Sequence, residues 1–345
     1  MPRAAAPKTA VRRSRTRYRS RSNRKAAARK PLGKRISAAA AAQQTSAAYD
    51  KGYDTGYNRA LLELGGSSAH DENQRYDEGF RRGFYAGGDG IVDSILPDLD
   101  LLPEVHVTQI LAAGIEQLRP LQHRVMGAPE VAERILQALE AKAPLSVVRL
   151  GDGELLTLAQ ETVMPVEEVQ SAGSFLAYAG VQVPDLASRD QLLASVKLAD
   201  IVGIPKIRLP YFQPLAFAVL KAHGMEYRDM ALTLSTINYS LYLEGFFRTI
   251  LAGRRVLTVG NSAEPLSRFL GSSGVHVAGA VSPVHGMFDI PRVMEEIHRH
   301  DFDLALVGAG IPAVVISQRI AGQMGKVAID FGHLADSMIK GEAPL

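Results

Sequence analysis

The chain contains no cysteine and no tryptophan. The first absence excludes disulfides, thiolate metal sites and cysteine nucleophiles, and it fits a reducing compartment such as the cytoplasm. No run of 18 or more apolar residues occurs, so no transmembrane helix is expected. The basic N-terminus lacks the apolar core of a secretory signal. Acidic residues are missing from one region only. Residues 1–49 hold 14 of the 39 Lys and Arg but none of the 36 Asp and Glu. The remaining residues therefore carry 25 basic and 36 acidic groups, a net of −11. The pI near 9.0 describes the tail, and it gives no ground for assigning nucleic-acid binding to the rest.

Residues 1–48 are Arg/Ser-rich and then Ala-rich. Few apolar anchors offset ordering entropy there, which predicts a disordered basic low-complexity tail. Its positive field suits a polyanion; the plainer reading is a solubilising tail with no single partner. Residues 49–127 form a second region. Tyr49, Gly52-Tyr53 and Gly56-Tyr57 are echoed by Tyr76, Gly79-Phe80, Gly83-Phe84 and Gly87. A four-residue spacing puts each set on one helical stripe. The expectation is a helical hairpin around Gly65-Gly66, suited to self-association, with Ile91 to Pro129 as a helical connector. The alternative is partial folding, since an interior glycine costs about 1 kcal/mol relative to alanine.

From residue 128 to 345 short β-branched runs alternate with helical patterns. Strands are expected at Leu145–Leu150, Asp200–Ile204, Ala231–Thr236, Val256–Gly260, Val275–Ala280, Leu304–Val307 and Val327–Ile329. Helices are expected at Glu130–Lys142, Arg189–Leu198, Pro214–Ala222, Tyr239–Leu251, Glu264–Leu270, Pro291–His300 and Ala313–Met324. This alternation predicts an α/β, Rossmann-like domain, a largely parallel sheet with helices on both faces. Ligands of such sheets bind beyond the carboxyl ends of the strands, where the candidate residues are sought.

The first strand runs into Arg149-Leu150-Gly151-Asp152-Gly153-Glu154. Gly151 and Gly153 allow a tight loop, and Asp152 and Glu154 could converge on one hard cation, Mg²⁺ or Mn²⁺. The competing reading is an ordinary turn with Glu154 favourably placed at a helix start. Asn261 and Ser262 precede a helix and could hold a phosphate, or Ser262 could serve as an N-cap. Lys206 and Arg208 could neutralise a diphosphate, or form a solvated loop pair. His333 follows the last strand as a candidate metal ligand, proton shuttle or phosphate donor; His285 is a weaker candidate of the same kind. Gly308-Ala309-Gly310 opens a helix, and Asp330 stands 20 residues after Gly310. That spacing matches a dinucleotide fingerprint, although few residues follow Asp330 to build the nicotinamide half.

Arg149-Leu150-Gly151-Asp152-Gly153-Glu154 resembles the Arg-x-Gly-Asp-Gly-Glu signature of the bacterial GT-D fold glycosyltransferases. Ala328-Ile329-Asp330-Phe331-Gly332-His333 resembles that family's closing Ala-x-Asp-x-Gly-His segment, and Val307 to Gly310 its preceding strand–helix turn. Ser235 to Tyr239 and Gly260 to Glu264 depart from the family pattern. The resemblance implies transfer of a sugar, with UDP-sugar the expected donor, from a nucleotide diphosphate to a glycan or glycoconjugate hydroxyl. It places Mn²⁺ or Mg²⁺ at Asp152 and Glu154 with His333 nearby, and Arg149, Gly151 and Gly153 beside the donor. Two other readings stay open: an NAD-dependent oxidoreductase built on Gly308, Gly310 and Asp330, and a non-catalytic envelope, spore or polyanion-associated protein.

Overall fold

The computed structural model describes residues 69–345; the tail and the first copy of the Gly/aromatic echo lie outside the described residues. Helix α1 (Ala69–Gly87) carries the second copy, followed by α2 (Asp89–Ile95) and α3 (Val107–Gln117). Tyr76 is 72% exposed, and no described residue approaches the Cβ positions of Gly79, Gly83 or Gly87 within 4 Å. Among the residues of 76–127 whose burial is described, only Val107 is buried. None of the described helices is long and apolar enough to cross a membrane.

The chain enters its sheet domain at Met126. Its amide donates to the Leu232 carbonyl at 2.8 Å, and Thr233 Oγ1 donates to the Met126 carbonyl at 2.8 Å. The elements that follow are α4 (Ala128–Ala141), β1 (Leu145–Arg149), α5 (Asp152–Ala159), α6 (Val166–Ala172), α7 (Leu186–Leu198), β2 (Ile201–Ile204), α8 (Gln213–Ala222) and β3 (Leu232–Leu234). Then come α9 (Ile237–Leu243), α10 (Phe246–Leu251), β4 (Arg255–Gly260), α11 (Ala263–Ser272), β5 (His276–Val281), α12 (Ile290–Ile297), β6 (Leu304–Gly308), α13 (Pro312–Met324), β7 (Val327–Asp330) and α14 (Leu334–Ile339). All seven expected strands are present, and they form one parallel sheet in the order β3-β2-β1-β7-β6-β4-β5.

Alternation along the strands produces two cores, because successive side chains point to opposite faces. Val148, Ala305, Val307 and Ala328 face α5, α7, α8, α12 and α13. Their neighbours Val147, Leu304, Leu306 and Ile329 face α4, α9, α10, α11 and α14. Each fully buried Leu or Ile contributes about 1.5–3 kcal/mol, so covering both faces dominates the domain's stability. One expected helix is corrected. Tyr239–Leu251 is two helices rather than one, broken where Gly245 turns left-handed at φ +80°. The short helices α5, α6 and α14 were not among the expected ones.

Candidate active site

The carboxyl ends of β1, β7 and β6 meet at the centre of the sheet, on the edge where α/β proteins place ligands. Arg149, the last residue of β1, turns inward. Its Nη2 donates to Asp330 Oδ1 at 2.8 Å, its Nε to the Asp330 carbonyl at 3.1 Å, and its Nη1 to the Ser235 carbonyl at 3.1 Å. Burial works against the guanidinium charge, and Asp330 more than offsets it, so Arg149 stays charged. Burial likewise pushes the Asp330 carboxyl up, with Arg149 holding it back. Gly332 completes the arrangement. It sits at φ +52°, and a side chain there would overlap the Arg149 guanidinium. Arg149 and Asp330 therefore brace two central strands, with the Arg149 guanidinium and Asp330 Oδ1 already hydrogen-bonded within the chain.

Asp152 and Glu154 occupy the first turn of α5. Glu154 folds back so that its Oε2 accepts the Gly151 N–H at 2.7 Å, while Asp152 Oδ1 accepts the Gly153 N–H at 2.9 Å. Each carboxylate thus satisfies an orphan donor of the helix start. The turn-and-cap reading describes this geometry, and it leaves Glu154 Oε1 and Asp152 Oδ2 for other partners. Loss of water around Glu154, reinforced by the nearby charge of Asp330, raises its pKa from an ordinary 4.5 to about 7. The Gly151 hydrogen bond and Arg149 oppose that rise without cancelling it.

Asp152 and Glu154 offer hard carboxylate oxygens within one helical turn, the ligand type of Mg²⁺ or Mn²⁺, which keeps waters and takes phosphate oxygens for much of its shell. The surplus of buried negative charge over Arg149 fits the same group. His333 is exposed at the start of α14, on the rim beside Gly332. Among the described residues no three His, Asp or Glu side chains gather into a ready-made cation site, so Asp152, Glu154 and His333 are not brought together as a set of three.

The other candidates scatter. Lys206 and Arg208 are exposed on the loop after β2. Arg208 Nη1 donates to Gln213 Oε1 at 2.9 Å, and Gln213 Nε2 donates to the Lys206 carbonyl at 3.0 Å. Asn261 Oδ1 accepts the Val284 N–H at 2.8 Å, and Ser262 Oγ donates to Asp336 Oδ1 at 2.9 Å. Ser262 makes no cap hydrogen bond to α11. The Gly308–Gly310 turn is covered by the chain itself. The Ile311 amide donates to the Ala179 carbonyl at 3.2 Å, and a Cβ on Gly310 would stand 2.9 Å from that oxygen. Two contributors went unread in the sequence: Ser235, acting through its carbonyl, and Asn238, whose Nδ2 donates to the Phe331 carbonyl at 2.8 Å. Only the second has a side chain that could have signalled it.

A seven-stranded parallel sheet covered by helices on both faces, with an arginine-braced acidic rim at the carboxyl ends of its central strands, defines a Rossmann-like α/β protein. The sequence profile of the GT-D fold-like domain matches residues 126–338, and the chain belongs to this GT-D-like family. That fold suggests a glycosyltransferase. Two solved structures are similar. One is described as the highly conserved domain of unknown function 1792, with a distinct glycosyltransferase fold; it is 16% identical, covers 67% of this chain and 84% of its own, and has a TM-score of 0.43. The other is a selenomethionine-substituted structure of domain of unknown function 1792, 18% identical over 66% and 84%, with a TM-score of 0.42. No curated protein sequence matches the chain.

Proposed function

We propose that the protein is a metal-dependent glycosyltransferase moving a sugar from a nucleotide-diphosphate donor, UDP-sugar first among them, to an acceptor hydroxyl. One observation carries the reading beyond family membership. Asp152 and Glu154 share the first turn of the helix that follows the central strand β1, and burial together with the charge of Asp330 disfavours the Glu154 carboxylate, a cost that a bound cation would offset. Asp152 and Glu154 would hold Mg²⁺ or Mn²⁺ through their oxygens. When bound, the cation supplies positive charge that stabilises the departing nucleoside diphosphate. Arg149 and Asp330 fix the two strand ends against each other. His333, on the same rim, is the group we assign to accept the acceptor's proton at an imidazole nitrogen. Two features favour this over nicotinamide chemistry. The Ile311 amide is already taken by Ala179, and the Asp330 carboxylate already faces Arg149.

The test is thermal unfolding with UDP-, GDP- and dTDP-sugars and with NAD(H), each with Mn²⁺ or EDTA. Ligand at 100 times its Kd stabilises by about 2.7 kcal/mol. The expected result is a Mn²⁺-dependent shift with one nucleotide sugar that is lost in Glu154→Gln. A metal-independent shift with NAD(H) would replace the transferase by an oxidoreductase, and no shift with any ligand would leave a non-catalytic domain.

A further inference from the structure

The domain carries a concavity lined by none of these site residues. It measures about 470 Å³ and lies between the segment that follows α6 and the loop that follows β5. Sites for small organic ligands run from about 300 to 1,000 Å³. Its walls include Gln182, Asp185, Gln191, His285 and Phe288. There is no lysine or arginine among the lining residues, so the cavity is not made for a phosphate. Phe288 is 78% exposed, and on the facing segment Phe175 and Tyr178 are 38% and 98% exposed. Flat apolar faces next to planar amides match a sugar. The C–H face of a pyranose packs on a ring, and its hydroxyls pair with groups that both donate and accept.

The loop bearing Phe288 is held still. Arg292 grips Asp289 through Nε and Nη2 at 2.8 and 2.7 Å, and Asp289 Oδ2 accepts the His285 N–H at 3.1 Å. The Met287 amide donates to the Gly180 carbonyl at 3.1 Å. A rigid wall lowers the ordering cost of binding. The segment that supplies Ala177 and Gly180 to the concavity also reaches the candidate site: its Phe175 ring, outside the concavity, stands 3.5 Å from the Cβ position of Gly153, between Asp152 and Glu154.

We infer that this concavity is the acceptor subsite, and that it takes a neutral glycan chain stacked on Phe288 and hydrogen-bonded by Gln182 and Gln191. The inference rests on the transferase reading and extends it. Because the chain has no tryptophan, Phe288→Trp in the full-length protein provides a single fluorescent reporter at the proposed stacking position. It would be titrated with maltotriose, cellotriose and chitotriose, and with a Ser/Thr-rich peptide. The expected result is a saturable emission change with at least one trisaccharide, weakened about tenfold or more when Gln182→Ala and Gln191→Ala are added. Flat emission with all three sugars, or a response to the peptide alone, would overturn the subsite. Nucleotide-sugar melting of the unmodified protein, run in parallel, separates the two readings. A donor shift with flat emission removes the subsite and spares the transferase. Saturable emission with no donor shift upholds a carbohydrate site and removes the transferase.

Discussion

The role proposed for Glu154 sets function against stability at a single side chain. Its folded-state pKa of about 7 lies above the ordinary 4.5, so the native state holds a proton that the unfolded chain releases. The contribution is fully present below about pH 4.5 and is lost as pH rises through about 7. Asp330 is shifted in the same direction and adds with the same sign. A glutamine at 154 carries no charge and can still accept the Gly151 N–H. We therefore expect Glu154→Gln to be inactive yet more stable than the parent at pH 8, by about 1–3 kcal/mol, with little difference at pH 4.5. Urea unfolding followed by circular dichroism at the two pH values checks this. A variant equally destabilised at both would show that Glu154 acts as a cap alone. Such a trade is expected where a charge is kept for use against its own solvation.

At the scale of elements, what was legible followed from periodicity. Seven β-branched runs became seven strands because each had to fill a two-sided core, whereas Gly245 split a helix whose apolar pattern continued across it. The site was half legible. Arg149, Asp152, Glu154 and Asp330 stand in short motifs at strand ends, but nothing in either motif tells that Arg149 and Asp330, 181 residues apart, spend their charges on each other. The cover over the Gly308–Gly310 turn was invisible because backbone carbonyls supply it, and carbonyls have no sequence signature. That cover yields a prediction. In Gly310→Ala the new methyl meets the Ala179 carbonyl from a φ of +60°, so the segment after α6 should lift. The expected cost is about 1–3 kcal/mol. The Ile311 amide should lose hydrogen-exchange protection while amides of β1 keep theirs. Unchanged protection at Ile311 would mean that the turn accommodates a side chain and that its glycines are free for another purpose.

Across the described residues, little apolar surface from residues 76–121 is buried, and the segment attaches through the Met126–β3 hydrogen bonds, the packing of Val125 and Met126 on the cores and the edge-on contact of His123 with Tyr227. A protein beginning at residue 122 should therefore melt within about 3 °C of the full chain, whereas one beginning at residue 128 should melt lower because β3 keeps β2 but loses the Met126 bridge on its other side. Equal melting of the two would show that the Met126 bridge is idle. The sheet order has a consequence for synthesis. β7 sits between β1 and β6 but is the last strand to be translated. At about 5–20 residues per second, Arg149 waits roughly 9–36 s for Asp330 to appear. Once made, and until β7 appears, the β1–β3 and β4–β6 groups each show the ribosome exit and its attendant chaperones an unpaired central edge. A message interrupted before β7 then yields two half-sheets with no brace between them, prone to aggregation and incapable of premature chemistry.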